Sequence, residues 1–555
     1  APSRGLGDVY KRQIFYIISA FALLLTGCTD FLDRSPYNDL SGSTVWTSDA
    51  NANMQLNGVY KLTKNGWAMQ GYCYHFTCFG PDGYDYFRNS NIEMATATTR
   101  DGIFLSAYVE YYKVINAAND AIANLTDNPN ITPELRERMI GEARFLRGFS
   151  YFMLWQLYGG VIILDKPTQP TDTYLPRNTA DQVRDFVIED FKDAIERLPL
   201  EYGDSENGRI TKGAAVAMLG RTYLYDQRWG DAAVELHKLM EEPYKYDLVE
   251  DYAKLFDWKY ERNTEYIYAL SFIAQIGYGT AYDSWYGNRS SFINGESYCL
   301  GSHIPFETST YADGSPIDLS TRPKRSDYQD EVTFGNDLIQ WYDDVINSPK
   351  GLDKRISVNM ILPSATYYGK DSKYFKVYWP YEAHVNDDPQ ALGVTFNDFA
   401  TYSWRKFVCV GDEGYWGYQG PTDIPLIRFA DVLLMYAEAK NEELAAPDDD
   451  IYDAVNRVRK RAGLNELSGL DKTAMRKAIR MERFHEFPGE GHLFFDVRRW
   501  RTAHTNDPVF GLNHDVYQFT GEKLFTRSFP EKFYLWPIPE AERDLNPKLD
   551  QNEGW

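Results

Sequence analysis

The sequence predicts a mainly α-helical protein that is interrupted by a long loop-rich, partly β insertion. Apolar residues recur at three- and four-residue steps over 104–241 and again over 425–491, as the buried face of an α-helix requires. Between about 250 and 420 this periodicity is lost, and short aromatic strings alternate with Gly, Asn, Asp, Ser and Pro. A long stretch without regular structure is uncommon in a compact protein unless that stretch has a function.

The first helical part begins with three long predicted helices. The first covers residues 104–125. The second begins at Pro133, with Thr132 as its cap, and runs through Tyr158, where a pair of glycines ends it. The third covers residues 179–198 and is closed by a proline.

The next two helices follow the tetratricopeptide pattern of large and small residues. In residues 211–243, Gly220 and Ala232 are small enough to let two helices approach closely, while Tyr223 and Leu236 fill the groove between them. Such a pair needs neighbours that cover its remaining faces. We therefore expect the flanking helices to form further pairs of the same kind.

Helices are predicted again after the insertion. Three segments have helical periodicity, namely 425–443, 451–463 and 472–491. Charged side chains of opposite sign lie at helical spacing in the last segment, which predicts interlocking ion pairs along that helix. These side chains are Arg480, Glu482, Arg483 and Glu486.

The N-terminus has the anatomy of an export signal. Two basic residues precede an apolar run over 14–25, which is shorter than the roughly 20 residues that a membrane-spanning helix needs. Small residues then lead to Cys28, as in a bacterial lipobox, where the cysteine is acylated. We expect 1–27 to be a signal peptide with a truncated or artefactual start at 1–13, and 28–47 to be a lipidated tether. The alternative is a buried helix followed by an ordinary cysteine.

Composition argues against nucleic acid as a partner. The chain of 555 residues has a net charge of -22, and its basic residues are mixed with acids rather than clustered. Its 42 Tyr, 31 Phe and 13 Trp residues are more rings than a core requires. Many of these rings are therefore expected on or near the surface.

The cysteines and acids do not indicate a metal or a cofactor. Cys73 and Cys78 are close enough in sequence to pair, and His75 between them completes a C-x-H-x-x-C string. No second ligand cluster supports a zinc site, which takes four ligands. A structural calcium ion is not indicated either, because no D-x-D-x-D-G loop is present.

Motifs at both ends of the chain resemble the SusD/RagB family. IRFADVLLMYAEAKNEE, AVNRVRKRAGL, MERFHEFPGEGHLFFDVRRW and YLWPIPEAERDLNPKLDQNEGW resemble the C-terminal signature of that family. EARFLRGFSYFMLWQLYGG, residues 142–160, resembles its long early helix, and CTDFLDRSP resembles its lipidated start. The resemblance extends from Cys28 to Trp555.

This resemblance implies a SusD-like fold of four tetratricopeptide-like helical pairs. We expect an N-terminal helical part at 48–250, a variable loop-rich ligand side at 251–420 and a C-terminal helical part at 421–555. The family implies a lipoprotein exposed on the outer membrane of Bacteroidetes-type bacteria that captures oligosaccharides, less often peptides, and is not an enzyme. The implied partner is a TonB-dependent barrel of the SusC type, which such proteins cover as a hinged lid.

Candidate ligand-binding residues are aromatic rings beside polar groups. A neutral sugar offers hydroxyls and flat C–H patches, so rings that stack and side chains that form hydrogen bonds are needed together. For each ring, the alternative is a small satellite core under a long loop. The candidates are Asp82, Tyr84, Asp85, Tyr86, Arg88, Asn89, Trp285, Tyr286, Arg289, Trp379, Trp416 and Tyr418.

No catalytic residues are predicted. His485 and His492 are seven positions apart with Pro488 between them, so they do not share a helical face as a zinc site would need. With 80 acids, some carboxylate pair will always have the spacing that glycoside hydrolysis uses, so a surface glycoside hydrolase stays open. A peptide-binding lid of the RagB type stays open as well, and so does a scaffold that binds a protein helix.

Overall fold

The computed structural model describes residues 45–64, 69–85, 90–168, 174–275, 277–286, 299–363, 376–378, 391–393, 402–409 and 419–555. The predicted signal peptide and Cys28 lie outside these ranges, as does nearly all of the predicted tether. The predicted division of the chain near 250 and 420 stays a prediction.

Helices dominate the described residues, which confirms the predicted mainly α fold. In chain order the helices are α1 Asp49–Thr63, α2 Tyr72–Phe79, α3 Ser90–Glu93, α4 Gly102–Leu125, α5 Pro133–Tyr158, α6 Ala180–Arg197, α7 Lys212–Tyr225, α8 Trp229–Lys238, α9 Tyr282–Tyr286, α10 Ile304–Glu307, α11 Glu331–Ile346, α12 Ile356–Asn359, α13 Phe429–Glu443, α14 Asp449–Ala462, α15 Lys472–Glu486, α16 His492–Arg499 and α17 Glu540–Leu545.

Short strand pairs lie between the helices. The strands are β1 Gly83–Tyr84, β2 Tyr266–Leu270, β3 Leu300–Gly301, β4 Met360–Ile361, β5 Lys376–Tyr378, β6 Ala391–Gly393, β7 Ser403–Trp404, β8 Ile424–Arg428, β9 Asp515–Tyr517 and β10 Lys523–Thr526. The pairs β1–β3, β2–β8, β4–β7 and β9–β10 are antiparallel, and β5–β6 is parallel.

The long helices form one continuous stack. Each of α4 to α7 packs against the next helix in sequence, and α8 packs against α13, which also contacts α14 and α15. The first and last parts of the chain therefore share one core, although the insertion separates them in sequence. This arrangement gives the tetratricopeptide-like pair α7–α8 neighbours on both sides, as such a pair needs.

The helix ends follow from local sequence. Pro133 occupies the first turn of α5, where its missing N–H is not needed, and Gly159 ends that helix with φ +72°. Thr179 and Gln182 form a reciprocal capping box at the start of α6. The predicted bounds of these helices are thus confirmed to within a residue.

The pair α7–α8 shows why a small residue is needed at Gly220. A Cβ atom added there would lie 2.7 Å from Cγ of Leu236, which is closer than real Cβ atoms approach. Leu236 is fully buried against this gap. Close packing of the two helices therefore depends on the missing side chain, as the tetratricopeptide pattern predicts.

Three predictions about regular structure are wrong in detail. The segment that begins at Pro425 is not helical from its start, because Ile424–Arg428 forms strand β8 and the helix begins at Phe429. The helix predicted over 472–491 ends at Glu486, just before Pro488. The insertion also contains a helix of 16 residues, α11, where a loop-rich stretch is predicted.

The ion pairs predicted within α15 are instead made to other elements. Glu482 accepts from Arg355 at 2.6 Å and from Arg459 at 3.1 Å. Arg483 donates to Asp431 at 2.7 Å and to Asp496 at 2.8 Å. The prediction of pairs along one helix is therefore wrong, because these side chains point into the core and meet charges from other segments.

Arg428 lies at the centre of this buried charge network. Its guanidinium donates to Glu490 at 2.7 Å, to Glu486 at 3.0 Å and to Glu265 at 2.5 Å. Burial opposes ionisation, but Arg461, Arg428 and Arg355 outweigh it and hold the pKa of Glu486 at about 2. The network joins β2, β8, α14, α15 and the loop after it.

All four cysteines in the described ranges are buried free thiols, namely Cys73, Cys78, Cys299 and Cys409. The pairing of Cys73 with Cys78 that the sequence left open is absent. Both belong to α2, where a separation of five residues turns their side chains about 140° apart around the helix axis. Burial raises the pKa of the Cys78 thiol well above its usual value.

Candidate ligand-binding site

The described residues that flank three predicted ligand-binding segments come together at one place. We define the loop-base cluster as Tyr74, Asp85, Asp283, Trp285 and Cys409. Asp85 directly precedes residues 86–89, Trp285 lies just before 287–298, and Cys409 directly precedes 410–418. Contacts among these five residues tie the bases of all three segments together.

Tyr74 of helix α2 joins the first two segments. Its hydroxyl donates to Oδ2 of Asp85 at 3.1 Å, and its ring centroid lies 4.9 Å from that of Trp285. Ring pairs at such distances add about 0.5–1.5 kcal/mol beyond their burial. Burial raises the pKa of the Tyr74 hydroxyl far above its ordinary value, which keeps it a hydrogen-bond donor.

Asp283 joins the second and third segments. Its Oδ1 accepts from the backbone N–H of Cys409 at 2.7 Å. Gly420, at the far end of the third segment, forms a reciprocal backbone pair with Thr280 at 2.8 and 2.9 Å. A Cβ added to Gly420 would lie 2.5 Å from Oδ2 of Asp283, so the chain must be glycine to pass this carboxylate.

Arg527, from the C-terminal part, fixes the backbone that leads into the first segment. Its guanidinium donates to the carbonyl oxygens of Cys78 at 3.2 Å and Gly83 at 2.6 Å, and to Glu93 at 3.1 Å. Charge-assisted bonds of this kind are among the stronger ones in proteins. A fully buried cation thus holds the backbone carbonyls of Cys78 and Gly83 in place.

Four of the predicted site residues are buried within the protein. Asp82 accepts from the backbone N–H of Gly489 at 2.9 Å, and Tyr286 donates to the carbonyl of Gly489 at 2.9 Å. Tyr84 belongs to a small separate core with Leu300, Val516 and Phe525, as a ring under a long loop can. From the sequence we expect these four side chains to be exposed to solvent, and that expectation is wrong for Asp82, Tyr84, Asp85 and Tyr286.

Trp285 is the predicted site residue that the structure places at a partly exposed position in the loop-base cluster. It packs between Tyr74 and Tyr282, and its carbonyl accepts from the backbone N–H of Cys299 at 3.0 Å. Its ring is therefore held in place from one side. The remaining predicted residues lie outside the described residues, namely Tyr86, Arg88, Asn89, Arg289, Trp379, Trp416 and Tyr418. Their contact with a ligand stays a prediction.

Two carboxyl groups in this region have raised pKa values. Burial raises the pKa of Asp82 to about 7 and that of Asp283 to about 6, although backbone N–H groups bonded to each carboxylate act in the opposite direction. Both groups therefore change charge close to neutral pH.

A groove of about 690 Å³ lies beside the loop-base cluster. Helix α1 forms one wall through Tyr60 and its neighbours, and the loop with Phe272 and Tyr278 forms the other. Gln70 also lines it, and the carbonyl of Gln70 accepts from the hydroxyl of Tyr282 at 2.7 Å. This groove was not predictable from the sequence, because its walls come from distant segments without a motif.

Glu261 and Asp423 form the carboxylate pair that bears on the possibility of a hydrolase. Burial raises the pKa of Glu261 to about 8 and that of Asp423 to about 6. Asp423 lines a cavity of about 320 Å³ beside Tyr266 and Tyr268. Oδ1 of Asp423 already accepts from the backbone N–H of Phe272 at 2.8 Å, so its carboxylate holds the chain at that point.

Within the described ranges, no three His, Cys, Asp or Glu side chains are grouped so that they could hold a metal ion. In the same part of the chain, no helix has the length and apolar character that crossing a membrane requires.

Two family models match the chain. The model described as the SusD family matches residues 264–555. A second model, described as starch-binding and associating with the outer membrane, matches residues 30–224. The first match includes most of the insertion as well as the C-terminal helices, and residues 225–263, which contain α8, lie between the two matches.

Individual proteins are similar over nearly their whole length. SusD-like protein P25 of Formosa agariphila is 24% identical, with 98% of this chain and 97% of the relative covered. The crystal structure of a SusD-like carbohydrate-binding protein from Bacteroides fragilis matches with a TM-score of 0.75 at 22% identity, over 91% of this chain and all of the other. A laminarin-binding SusD-like protein matches with a TM-score of 0.65 at 19% identity, over 92% of this chain and all of the other.

Proposed function

The chain belongs to the SusD family, and from this membership we propose that it binds oligosaccharides at the cell surface and delivers them to a transporter. In this proposal the mature protein is a lipoprotein of the outer membrane, anchored through acylated Cys28. Its partner is a SusC-like TonB-dependent barrel, which takes the ligand across the membrane. The protein itself catalyses no reaction.

The convergence of the three ligand-side segments supports this function. Tyr74, Asp283 and the Thr280–Gly420 pair hold the bases of 86–89, 287–298 and 410–418 together. Most of the predicted ligand contacts lie in or directly beside these segments. The ends of segments that are far apart in sequence are thereby anchored close together. A binding site that is built on loops requires such an anchor.

The names of similar proteins support glycans as the ligand class. Among the matched structures, one is called carbohydrate-binding and another laminarin-binding. Three or four stacked rings at about 0.5–1.5 kcal/mol each, with some hydrogen bonds, correspond to dissociation constants from about millimolar to ten micromolar. Capture of this strength suits a protein that must release its ligand to a partner.

The lipid anchor in this proposal follows from the lipobox pattern at Cys28 and from the second family model, which is described as associating with the outer membrane. Stable anchoring takes two acyl chains, because a single chain binds a membrane only marginally. Mass spectrometry of the protein from membranes, with Cys28→Ser as the comparison, tests this part. Loss of acylation and of membrane retention in the variant is expected, and an unmodified wild-type Cys28 would contradict it.

Calorimetric titration with a panel of oligosaccharides and tryptic peptides tests the binding function. We expect one glycan class to bind and Trp285→Ala to weaken that binding at least fivefold. Tyr260→Ala is the matched control, since Tyr260 is an exposed ring outside the loop-base cluster. Binding to peptides alone would favour a peptide-binding lid of the RagB type and overturn the glycan assignment.

The same mixtures, analysed for released sugars, test the absence of catalysis. No cleavage is expected. Turnover that Glu261→Gln abolishes would instead assign a glycoside hydrolase to the Glu261–Asp423 pair, because that chemistry needs a protonated acid beside a second carboxylate.

A further inference from the structure

The groove beside the loop-base cluster carries a charge opposite to that of the protein. Lys61 and Lys64 supply the charged side chains of its lining in the part of the chain that the structure describes. The protein as a whole has a net charge of -22. A positive groove on so acidic a chain attracts anions locally while the rest of the surface repels them.

The environment of Lys64 leaves its ammonium group available to a ligand. It donates to the carbonyl oxygen of Ser271 and lies 5.0 Å from the ring centroid of Phe272. An ammonium group has three donors, and no described carboxylate lies within salt-bridge distance of this one. Burial lowers the pKa of Lys64, while the more distant Asp423 acts in the opposite direction. A partly desolvated cation that has no ion-pair partner among the described residues is a site at which an anion gains affinity.

The remaining lining suits a sugar ring. Tyr278 is 61% exposed and lines the groove, as does Tyr60 of α1. Gly277, with φ +81°, allows the turn in which the backbone N–H of Tyr278 donates to the carbonyl of Gln275 at 2.9 Å. Two amide side chains, Asn57 and Gln70, add hydrogen-bonding groups to the lining. Rings with a few polar groups in a space of about 300–1,000 Å³ are typical of ligand sites.

We propose that this groove binds an acidic saccharide, one that carries a carboxylate or a sulfate, with Tyr278 against the sugar ring and Lys64 and Lys61 at its anionic group. The inference deepens the proposed glycan-binding function and rests on it. A neutral sugar would leave the Lys64 ammonium partly buried without an anion. The groove therefore selects charged over neutral glycans.

The test uses the detergent-solubilised full chain and calorimetric titration. The probes are trigalacturonate, its fully methyl-esterified form, a sulfated galactan oligosaccharide and a neutral glucan oligosaccharide of equal length. The ester removes the charge and keeps the sugar, so the ratio of the two affinities reports the anionic contact. Because hydrogen bonds to charged groups are stronger than those between neutral groups, we expect at least one acidic probe to bind tenfold or more tightly than its neutral counterpart.

Variants locate the contact in the groove. Lys64→Met is expected to reduce the preference for the acidic probe to less than threefold, and 0.5 M NaCl should do the same in the wild-type protein. Lys477→Met is the matched control, because Lys477 is exposed on α15 outside the groove. Tyr278→Ala changes a mostly exposed ring and should weaken binding of either acidic probe at least fivefold without unfolding the protein.

The outcomes separate this inference from the proposed function. A preference for trigalacturonate identifies a carboxylate ligand, and a preference for the sulfated galactan identifies a sulfate ligand. If neutral glycans bind as tightly as acidic ones, if Lys64→Met leaves the acidic preference unchanged, or if Tyr278→Ala leaves the affinity for the acidic probes unchanged, the assignment of the groove is overturned while glycan binding stands. If no glycan binds, both are overturned.

Discussion

Oδ1 of Asp283 accepts a hydrogen bond at 2.7 Å from the backbone N–H of Cys409, across 126 positions of sequence. This bond ties the short helix α9, which carries Trp285, to the chain that leads into residues 410–418. Two segments of the proposed glycan site thus share one buried carboxylate as their anchor.

Asp283→Ala is expected to destabilise the protein by about 1–3 kcal/mol, because it leaves the buried N–H of Cys409 without an acceptor. It should also weaken glycan binding, since the bases of two segments are no longer held together. Urea unfolding and calorimetric titration measure the two effects. Asp313→Ala is the control, because it removes an exposed carboxylate that is bonded to Ser315. Its stability and its glycan affinity should both equal those of the wild-type protein. Unchanged stability of Asp283→Ala would show that the anchor is dispensable.

Asp82→Asn is expected to change how stability depends on pH. Burial raises the pKa of Asp82 to about 7, so over about pH 4–7 the folded protein holds a proton that the unfolded chain has released. The stability contributed by this raised pKa is full below about pH 4 and is lost as the pH rises through 7. Asn is neutral at every pH, so it does not lose this stability. Between pH 5 and 8 the variant should therefore become more stable than the wild-type protein, by up to about 1.4 kcal/mol for each pH unit below about pH 7.

Urea unfolding of both proteins at pH 5, 6, 7 and 8 measures this difference. Asp318→Asn is the control, because that exposed carboxylate is bonded to Ser320 and its pKa is lowered, so it stays ionised across these pH values. Curves for wild type and Asp82→Asn that run parallel from pH 5 to 8 would contradict the raised pKa.

Gly220→Ala is expected to destabilise the protein by about 1–3 kcal/mol, although Ala favours helix by up to about 1 kcal/mol over Gly. The added Cβ would lie 2.7 Å from Leu236 and force α7 and α8 apart. Gly58→Ala on α1 is a matched control, since a Cβ there meets nothing within 4 Å. That variant should be slightly more stable than wild type. Equal effects of the two changes in urea unfolding would refute the close approach of α7 and α8.

Arg428→Met is expected to destabilise the protein by about 3–5 kcal/mol, because it removes the cation that three buried glutamates share. The pKa of Glu486 should rise from about 2, since Arg428 is one of the charges that lower it. Lys192→Met breaks an exposed pair with Glu189 and should change stability by no more than about 1 kcal/mol. Chemical denaturation compares the two, and similar losses would mean that the buried network contributes no more than a surface pair.

Periodicity predicts the helices of the stack, because their apolar positions recur with the spacing of one buried face. The same signal is present in α11, where Phe334, Leu338, Trp341, Tyr342 and Val345 are buried at helical spacing. The surrounding Gly- and Asp-rich strings obscure it in the sequence. Strand β8 is predicted as helix because a short apolar run does not distinguish a buried strand from the start of a helix.

The burial of individual rings was not predictable from local sequence. Tyr84 alternates with polar residues, as an exposed ring would, but its core partners Leu300, Val516 and Phe525 come from more than 200 positions away. The groove with Lys64 was unpredictable for a related reason, since α1 and the loop at Phe272 meet only in the folded protein. In both cases the deciding neighbours are set by tertiary structure.

The contact between α8 and α13 has a consequence for the order in which the protein can mature. The His237 and Tyr436 rings lie 5.3 Å apart at this contact, so the face of α8 is covered by a helix that ends only at Glu443. While the chain emerges from the ribosome or crosses a membrane, residues 49–238 can form helices but cannot complete their stack. The face of α8 that packs on α13 therefore stays exposed until the chain has been made as far as α13.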